Sequence, residues 1–207
     1  MDNGIKYSSL DLDNIKYFVL DYVQSESGAQ YINTGFVPTK TTKVDCTFQY
    51  TSTTTAYGTK DTALFGTGIS GQANTLLYFA NTTNGFQFSF GSENSLYKTF
   101  DLNKHTVSFA QTVYFDDVLL GTLNVSSYTN ANNLWLFRSS QTNMVSGASA
   151  KIYNAQIYDN QTLVRDFIPA IQRSDSSFGL YDKVNDKFYA NAGTGTFGIG
   201  NIIGIIK

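Results

Sequence analysis

Apolar and polar residues alternate one by one along several short segments of this chain, a pattern that predicts β-strands with one buried face. In Lys43–Tyr50, Val, Cys, Phe and Tyr occupy every second position between Lys, Asp, Thr and Gln. In Phe86–Phe90, three phenylalanines alternate with Gln and Ser. The 3.6-residue periodicity of an amphipathic helix is absent from the sequence. The pattern therefore predicts an all-β protein.

Two successive β-hairpins are predicted near the C-terminus. The first has strands at Lys151–Tyr158 and Thr162–Ile168, and we expect Pro169 to end the second strand because proline cannot donate a ladder hydrogen bond. The other hairpin has strands at Phe178–Lys183 and Lys187–Ala190, joined by a polar turn. Both hairpins need a larger sheet, because an isolated hairpin is marginally stable in water.

Further strands are predicted upstream, separated by turn residues at spacings typical of a β-sandwich. Their predicted bounds are Tyr17–Gln24, Gln30–Phe36, Lys43–Tyr50, Ala63–Gly68, Thr75–Asn81, Phe86–Phe90, Tyr97–Leu102, His105–Ala110, Thr112–Phe115, Val118–Leu123 and Leu134–Phe137. We expect Tyr97–Leu102 and His105–Ala110 to form a hairpin or a neighbouring pair, and Asp116-Asp117 to make a tight turn. The predicted fold class is all-β, a two-sheet antiparallel β-sandwich of the jelly-roll kind.

The composition excludes several classes of function. A net charge of −2 with 14% charged residues leaves no basic surface for nucleic acid. No apolar run approaches the roughly 20 residues that span a bilayer, so we expect no membrane insertion. The single cysteine, Cys46, excludes an internal disulfide and is predicted to be a buried packing residue.

The two hairpins also carry a family resemblance. The segments IYNAQIYDNQTLVRDFIPA and FGLYDKVNDKFYANAGTGTF resemble the end of the LamG-like, concanavalin A-like jelly-roll domains of bacteriophage virion proteins and gut-bacterial surface proteins. The segment LDYVQSESGAQYINTGFVPT, at Leu20–Thr39, is similar to the start of such a domain. The resemblance implies a sandwich at residues 17–197, after an N-terminal arm, Met1–Lys16, and before an apolar C-terminal tail at residues 198–207.

Catalytic groupings are hard to find in the sequence. A glycosidase needs two carboxyl groups roughly 5–9.5 Å apart, but the only two glutamates, Glu26 and Glu93, are not clustered. Asp116 and Asp117 are adjacent and would point to opposite faces of a strand. The one histidine, His105, is expected at a sheet edge or surface rather than as a catalytic base. We predict that the protein is not an enzyme.

Calcium is the metal that the resemblance implies, because LamG-like domains often bind it through Asp, Asn and backbone oxygens. The candidate ligands are Asp116, Asp117 and the Asn81/Asn84 turn. Each of these is explained by ordinary turn chemistry, and no calcium-binding spacing is present. We therefore expect no cofactor and no metal site.

Carbohydrate binding needs less, namely an exposed aromatic ring beside amide or charged groups. Polar loops supply such residues, and we predict Asn84, Tyr97 and Arg138 as carbohydrate-binding residues. For any one of them, ordinary loop composition is the simpler explanation. Trp135 is predicted to lie in the core rather than to contact sugar.

The two ends of the chain have two interpretations each. Met1–Lys16 is either a frayed terminus or an arm that docks on other virion proteins. Thr196–Lys207 contains five isoleucines, and it is either a last strand of its own sheet or an interchain contact. We favour the contact and predict a homo-oligomer.

These observations predict a non-enzymatic component of a bacteriophage virion, as a capsid decoration, head-fibre or tail protein, that attaches to host-surface or mucosal carbohydrate. One alternative is a purely structural decoration protein without glycan binding, and another is a bacterial surface adhesin module. The segment Met1–Ile15 lacks the apolar stretch of a secretory signal. This fits a virion component and equally fits a cytoplasmic protein; with the resemblance, we predict the virion surface as the location.

Overall fold

A computed structural model of the chain describes residues 14–52, 61–69, 72–82, 85–91, 95–125, 128–141 and 145–207. Within these ranges the chain forms nineteen β-strands and no α-helix. This part of the chain accordingly contains no helix long and apolar enough to cross a bilayer.

The strands are short, as in most sandwiches. In chain order they are β1 Tyr17–Leu20, β2 Val23–Ser25, β3 Ile32–Asn33, β4 Lys43–Tyr50, β5 Asp61–Ile69, β6 Gln72–Thr82, β7 Gly85–Phe90, β8 Leu96–Lys98, β9 Lys104–Phe109, β10 Thr112–Phe115, β11 Val118–Thr122, β12 Trp135–Leu136, β13 Val145–Gly147, β14 Ala150–Asp159, β15 Thr162–Gln172, β16 Ser177–Asp182, β17 Lys187–Ala190, β18 Gly198–Ile199 and β19 Ile202–Ile206.

Two sheets contain all of these strands. The large sheet has 12 strands. Eight of them follow the path β11-β10-β9-β4-β14-β15-β1-β19; of the other four, β16 pairs with β15 and β17 with β16, while β2 pairs with β14 and β18 with β2. The small sheet has seven strands in the order β3-β12-β5-β6-β7-β8, with β13 also on β5. The strand pairs are antiparallel except β13–β5, which is parallel. The predicted fold class, an antiparallel two-sheet β-sandwich, is confirmed, and the architecture is consistent with a jelly roll.

Aromatic rings fill the space between the sheets. The Phe48 ring of β4 lies 5.1 Å from the Phe79 ring of β6, and the Phe86 ring of β7 lies 5.5 Å from the Phe115 ring of β10. These side chains are almost completely buried. Cys46 points into the same core, as predicted, and burial, with the nearby Asp45 carboxylate second, raises the pKa of its thiol above the usual range.

Several predicted turns and strands are confirmed. The β4 and β17 strands have the predicted bounds. Asp116 and Asp117 join β10 to β11 with positive φ angles of 49° and 61°, which is the turn geometry that matches the twist of a hairpin. Asn160 and Gln161 join β14 to β15 in the same way, with φ angles of 47° and 67°.

The prediction that Pro169 ends its strand is wrong. Strand β15 continues to Gln172 because the large sheet divides at this position. Strand β15 pairs with β14 up to Phe167 and with β1 from Ala170 onward. On this edge of β15, Pro169 lies between the two ladders, so its missing N–H removes no bond from either of them. On the other edge it pairs with Leu180 of β16.

The same division breaks the predicted strand Tyr17–Gln24 into two. Strand β1 pairs with β15, whereas β2 pairs with β14. The segment predicted as Gln30–Phe36 is also shorter than expected, because only Ile32 and Asn33 pair, with β12.

The predicted pairing of Tyr97–Leu102 with His105–Ala110 is wrong. Strand β8 belongs to the small sheet and pairs with β7, whereas β9 lies between β4 and β10 in the large sheet. The chain therefore crosses from one sheet to the other between Lys98 and Lys104.

The C-terminal segment is part of the large sheet. Strand β18 pairs with β2, and β19 pairs with β1. This is the arrangement that we considered less favoured from the sequence, a last strand of its own sheet. Four of its five isoleucines nevertheless remain exposed, so the expected interchain contact stays a prediction.

Phe86 is expected to be a large single contributor to stability, because its ring packs against rings from both sheets. The Phe86→Ala substitution should lower the free energy of unfolding by about 3–5 kcal/mol, measured by urea denaturation. Phe86→Leu should cost less, and it provides a measurable variant if the alanine variant does not fold. The control Val118→Ala, at a position that is 68% exposed, should change little; equal effects at both positions would contradict the central role of Phe86.

Candidate functional site

Two of the three residues predicted to bind carbohydrate are described, and the structure does not bring these two together. Asn84 falls outside the residues that the structure describes. Tyr97 lies on β8, at one end of the strand order of the small sheet, and is 46% exposed. Arg138 lies two residues after the end of β12, and three strands lie between β8 and β12, a separation of about 19 Å at the usual strand spacing. Tyr97 and Arg138 are therefore too far apart to contact one sugar ring.

The surroundings of Arg138 also limit its reach. The residue is half-buried, and its Nε atom is enclosed with no hydrogen-bond partner in the described part of the chain. An enclosed N–H cannot contact a ligand unless its surroundings move.

Tyr97 lies beside polar groups that already bind one another. Gln87, directly opposite Tyr97, donates from Nε2 to Ser89 Oγ at 3.2 Å and to Ser95 Oγ at 3.1 Å. The two serine hydroxyls are 2.7 Å apart. This network leaves few free hydrogen-bonding positions for a ligand.

A different polar surface lies on the large sheet, in a groove of about 240 Å³. Its floor consists of alternate residues of three neighbouring strands, β9, β4 and β14. Thr47 lies opposite both Thr106 and Asn154, and Asp45 lies opposite Ser108. Because the intervening residues of β4 are buried in the core, the two-residue period of a strand turns these polar side chains outward.

The polar groups of this groove, unlike those near Tyr97, are free. Within the described ranges, the hydroxyls of Thr47, Thr106 and Ser108 and the amide of Asn154 have no hydrogen-bond partner in the protein. Hydroxyl and amide groups both donate and accept hydrogen bonds. The groove therefore offers a ligand a mixed set of donors and acceptors.

Asp45 is held at one oxygen and unpartnered at the other. Lys43 Nζ donates to its Oδ2 at 2.6 Å. Its Oδ1 is enclosed, and no hydrogen-bond donor reaches that atom from the described residues. An enclosed carboxylate oxygen without a donor is energetically costly, but, like the enclosed Nε of Arg138, this oxygen could contact a ligand only if its surroundings moved.

One tyrosine of this face has an uncovered ring. Tyr114 lines the groove and is 43% exposed, and no cation or second ring contacts it among the described residues. Lysine ammonium groups cover three other tyrosine rings, at 3.8–4.2 Å from the ring centroids: Lys104 on Tyr153, Lys43 on Tyr158 and Lys151 on Tyr22. Tyr114, by contrast, is available for stacking.

The charge of the groove favours a neutral ligand. Asp45 and Asp117 line it, and the ammonium group of Lys43 is bound to Asp45. This ion pair offsets the charge of Asp45, and the Asp117 carboxylate, which has no ion-pair partner among the described residues, repels an anionic group such as a sulfate or a sialic acid carboxylate.

The expectation that Trp135 lies in the core is wrong. The residue is half-buried, and its ring stacks on the Tyr31 ring at 4.2 Å with an angle of 19° between the planes. Its neighbour Leu136 is the fully buried residue of this short strand. Because successive side chains of a strand point to opposite faces, Trp135 faces outward on the small sheet.

The expectation that His105 lies at an edge or surface is also wrong. It is buried on β9, which has a neighbour on each side. Its Nδ1 lies 2.7 Å from Asp116 Oδ2, and its Nε2 lies 2.8 Å from Asp101 Oδ1. Both ring nitrogens are occupied, so the histidine connects the crossover between the sheets to the β10–β11 turn.

The described residues do not include a cluster of metal-ligating side chains. No group of three or more His, Cys, Asp or Glu side chains could hold an ion among the residues that the structure describes. Asp116 is engaged by His105 and by the Thr106 N–H at 2.9 Å. Asn81, another calcium candidate, is buried on β6.

The polar groove was not predicted as a site from the sequence. The outward positions of β4 were visible in the alternation of Lys43–Tyr50, but their neighbours Thr106 and Asn154 lie far away along the chain. Only the pairing of β4 with β9 and β14 shows that these residues share one surface.

Comparisons with known proteins do not assign the chain: no protein-family model matches it, and no curated protein matches it.

We predict that Asp101 contributes to acid stability through its contacts. Burial raises the pKa of Asp101, but hydrogen bonds from the Asn103 backbone N–H and from His105 outweigh it, so the pKa lies below the usual 3.8. A carboxyl group whose folded-state pKa is lowered stabilises the protein above its unfolded-state pKa and loses that effect as the pH falls through the folded-state value.

The Asp101→Asn variant should therefore be less stable than the natural protein at pH 6, and the difference should shrink below about pH 3.8. Urea midpoints measured between pH 2 and 7 test this. A difference that stays constant over the whole pH range would contradict the assignment.

Proposed function

We propose that this chain is a non-enzymatic, carbohydrate-binding β-sandwich on the surface of a bacteriophage particle, and that the groove on the large sheet is its binding site. The observation that carries the proposal is the uncovered ring of Tyr114 beside hydroxyl, amide and carboxylate groups that have no partner within the described ranges.

The chemistry of the groove suits a sugar. A sugar ring has an apolar C–H face, which stacks on an aromatic side chain, and a rim of hydroxyls that donate and accept hydrogen bonds. The exposed carboxylate of Asp117 can accept a hydrogen bond from one hydroxyl, while the Asn154 amide can both donate and accept. The same carboxylate favours uncharged sugars over acidic ones.

The sequence resemblance supports the placement on a virion. The segments at Leu20–Thr39 and in the two C-terminal hairpins resemble those of the LamG-like, concanavalin A-like domains of phage virion proteins, and the observed sandwich is compatible with that resemblance. Host-surface or mucosal carbohydrate is the corresponding ligand. Met1–Lys16 would attach the domain to other virion proteins.

A purely structural decoration protein is the second candidate. It is favoured by the exposed isoleucines of β19, which suit assembly rather than sugar binding. A bacterial adhesin module remains the third candidate, since the same resemblance extends to gut-bacterial surface proteins.

We expect Tyr114→Ala and Asn154→Ala each to weaken glycan binding by roughly tenfold or more, because one removes the stacking surface and the other removes an amide at the groove floor. The natural protein is first screened on a glycan array, and each glycan it binds is then titrated calorimetrically against the variants.

Tyr97→Ala is the matched control, because Tyr97 is as exposed as Tyr114 but lies on the other sheet. It should leave the affinity unchanged. Loss of binding on Tyr97→Ala or Arg138→Ala, with Tyr114→Ala unaffected, would move the site to the small sheet. Failure to bind any glycan would favour the decoration protein.

The non-enzymatic part of the proposal has its own test. Asp45 and Asp117 both line the groove, so each bound glycan is incubated with the protein and assayed for newly formed reducing ends. We expect none; hydrolysis that Asp45→Asn abolishes would show an enzyme instead.

A further inference from the structure

The C-terminal strand β19 lies at the margin of the large sheet. It pairs with β1 on one side, and no other described strand pairs with it. Its second edge therefore presents backbone N–H and C=O groups that another strand could bind.

Three of the four isoleucines of β19 are exposed, and Ile206 is half-buried. Ile202 is 57% exposed, Ile203 is 65% exposed and Ile205 is 39% exposed. The strand contains no charged residue and no proline, the devices by which natural edge strands avoid pairing. Its one protective feature is a bulge, which places Ile203 as an extra residue opposite β1.

The sequence of β19, Ile-Ile-Gly-Ile-Ile, reads the same in both directions. When two identical strands pair antiparallel about a two-fold axis at Gly204, Ile202 lies opposite Ile206 of the second copy, and Ile203 lies opposite Ile205. Every isoleucine then meets an isoleucine, and aliphatic cross-strand pairs of this kind stabilise a sheet.

We propose that a second copy of this chain pairs antiparallel with β19 about a two-fold axis at Gly204, joining the large sheets of two molecules. The inference does not depend on the proposed carbohydrate binding, because it concerns a different part of the large sheet.

The flanking residues suit this register. Lys207 lies opposite Asn201 of the second copy, so the terminal lysines do not face each other. Gly204 meets its own equivalent at the centre, where the absence of a side chain allows close approach. A two-fold contact is also closed, since the same edge is used by both copies and no filament grows from it.

A different partner strand would not explain the symmetry of the sequence. A heterologous partner selects one face and one direction of β19, whereas the palindrome matters only for a strand that meets itself. A second copy is therefore the occupant that the structure favours.

Sedimentation velocity over a concentration series tests the proposal with two double variants that remove the same two isoleucines. In Ile203→Lys with Ile205→Lys, lysine faces lysine across the axis, and dimerisation should weaken by roughly tenfold or more. In Ile203→Glu with Ile205→Lys, the new glutamate of one copy faces the new lysine of the other, so the dimer should persist at low salt and weaken at high salt.

Val118→Lys is the control, because Val118 is equally exposed on β11, at the opposite margin of the sheet; it should leave the dimer unchanged. Circular dichroism establishes that each variant is folded. A natural protein that stays monomeric at the highest concentration, or a dimer that the two double variants weaken equally, would overturn the proposal.

Discussion

The packing of aromatic rings between the two sheets is the constraint on which the rest of the molecule depends. Phe48 and Phe86 contact rings from both sheets, and this contact fixes which face of each strand is buried. Once Phe48 points inward, Thr47 and Gln49 must point outward. The same packing extends to His105, whose ring lies 4.6 Å from the Phe115 ring and joins the crossover segment to the β10–β11 turn. The outward polar rows therefore follow from the inward aromatic ones.

The outward faces of the two sheets differ in whether their polar side chains already have hydrogen-bond partners in the protein. On the small sheet, Gln87 and its two serine neighbours bind one another. On the large sheet, Thr47 and Asn154 make no such bonds in the described part of the chain, and Asp45 has one unpartnered oxygen. Free polar groups on a rigid sheet lose little entropy when a ligand binds, because the backbone already holds them in place. This favours the groove over the loops that composition alone suggested.

The strand pattern was predictable where the information is local. Strand β4 carries its own alternation, and the Asp116-Asp117 turn carries its own chemistry, so both were found from the sequence. The continuation of β15 through Pro169 was not, because it depends on the exchange of one partner strand for another at that residue. The outward position of Trp135 likewise depends on its pairing with Asn33 and Gly66. The groove was missed for the same reason, since three distant strands build it.

The division of the large sheet also determines how the C-terminal segment is paired. Where β14 and β15 separate, β2 binds one of them and β1 binds the other, and β18 and β19 then pair with β2 and β1 in turn. The segment at residues 198–207 thus pairs with both branches of the divided sheet, with β2 through β18 and with β1 through β19. Its removal would expose two further strands, and a truncated protein would associate or unfold for reasons unrelated to the isoleucines. Association through β19 is therefore separable from folding only by substitutions at exposed positions, where the ladder to β1 remains intact.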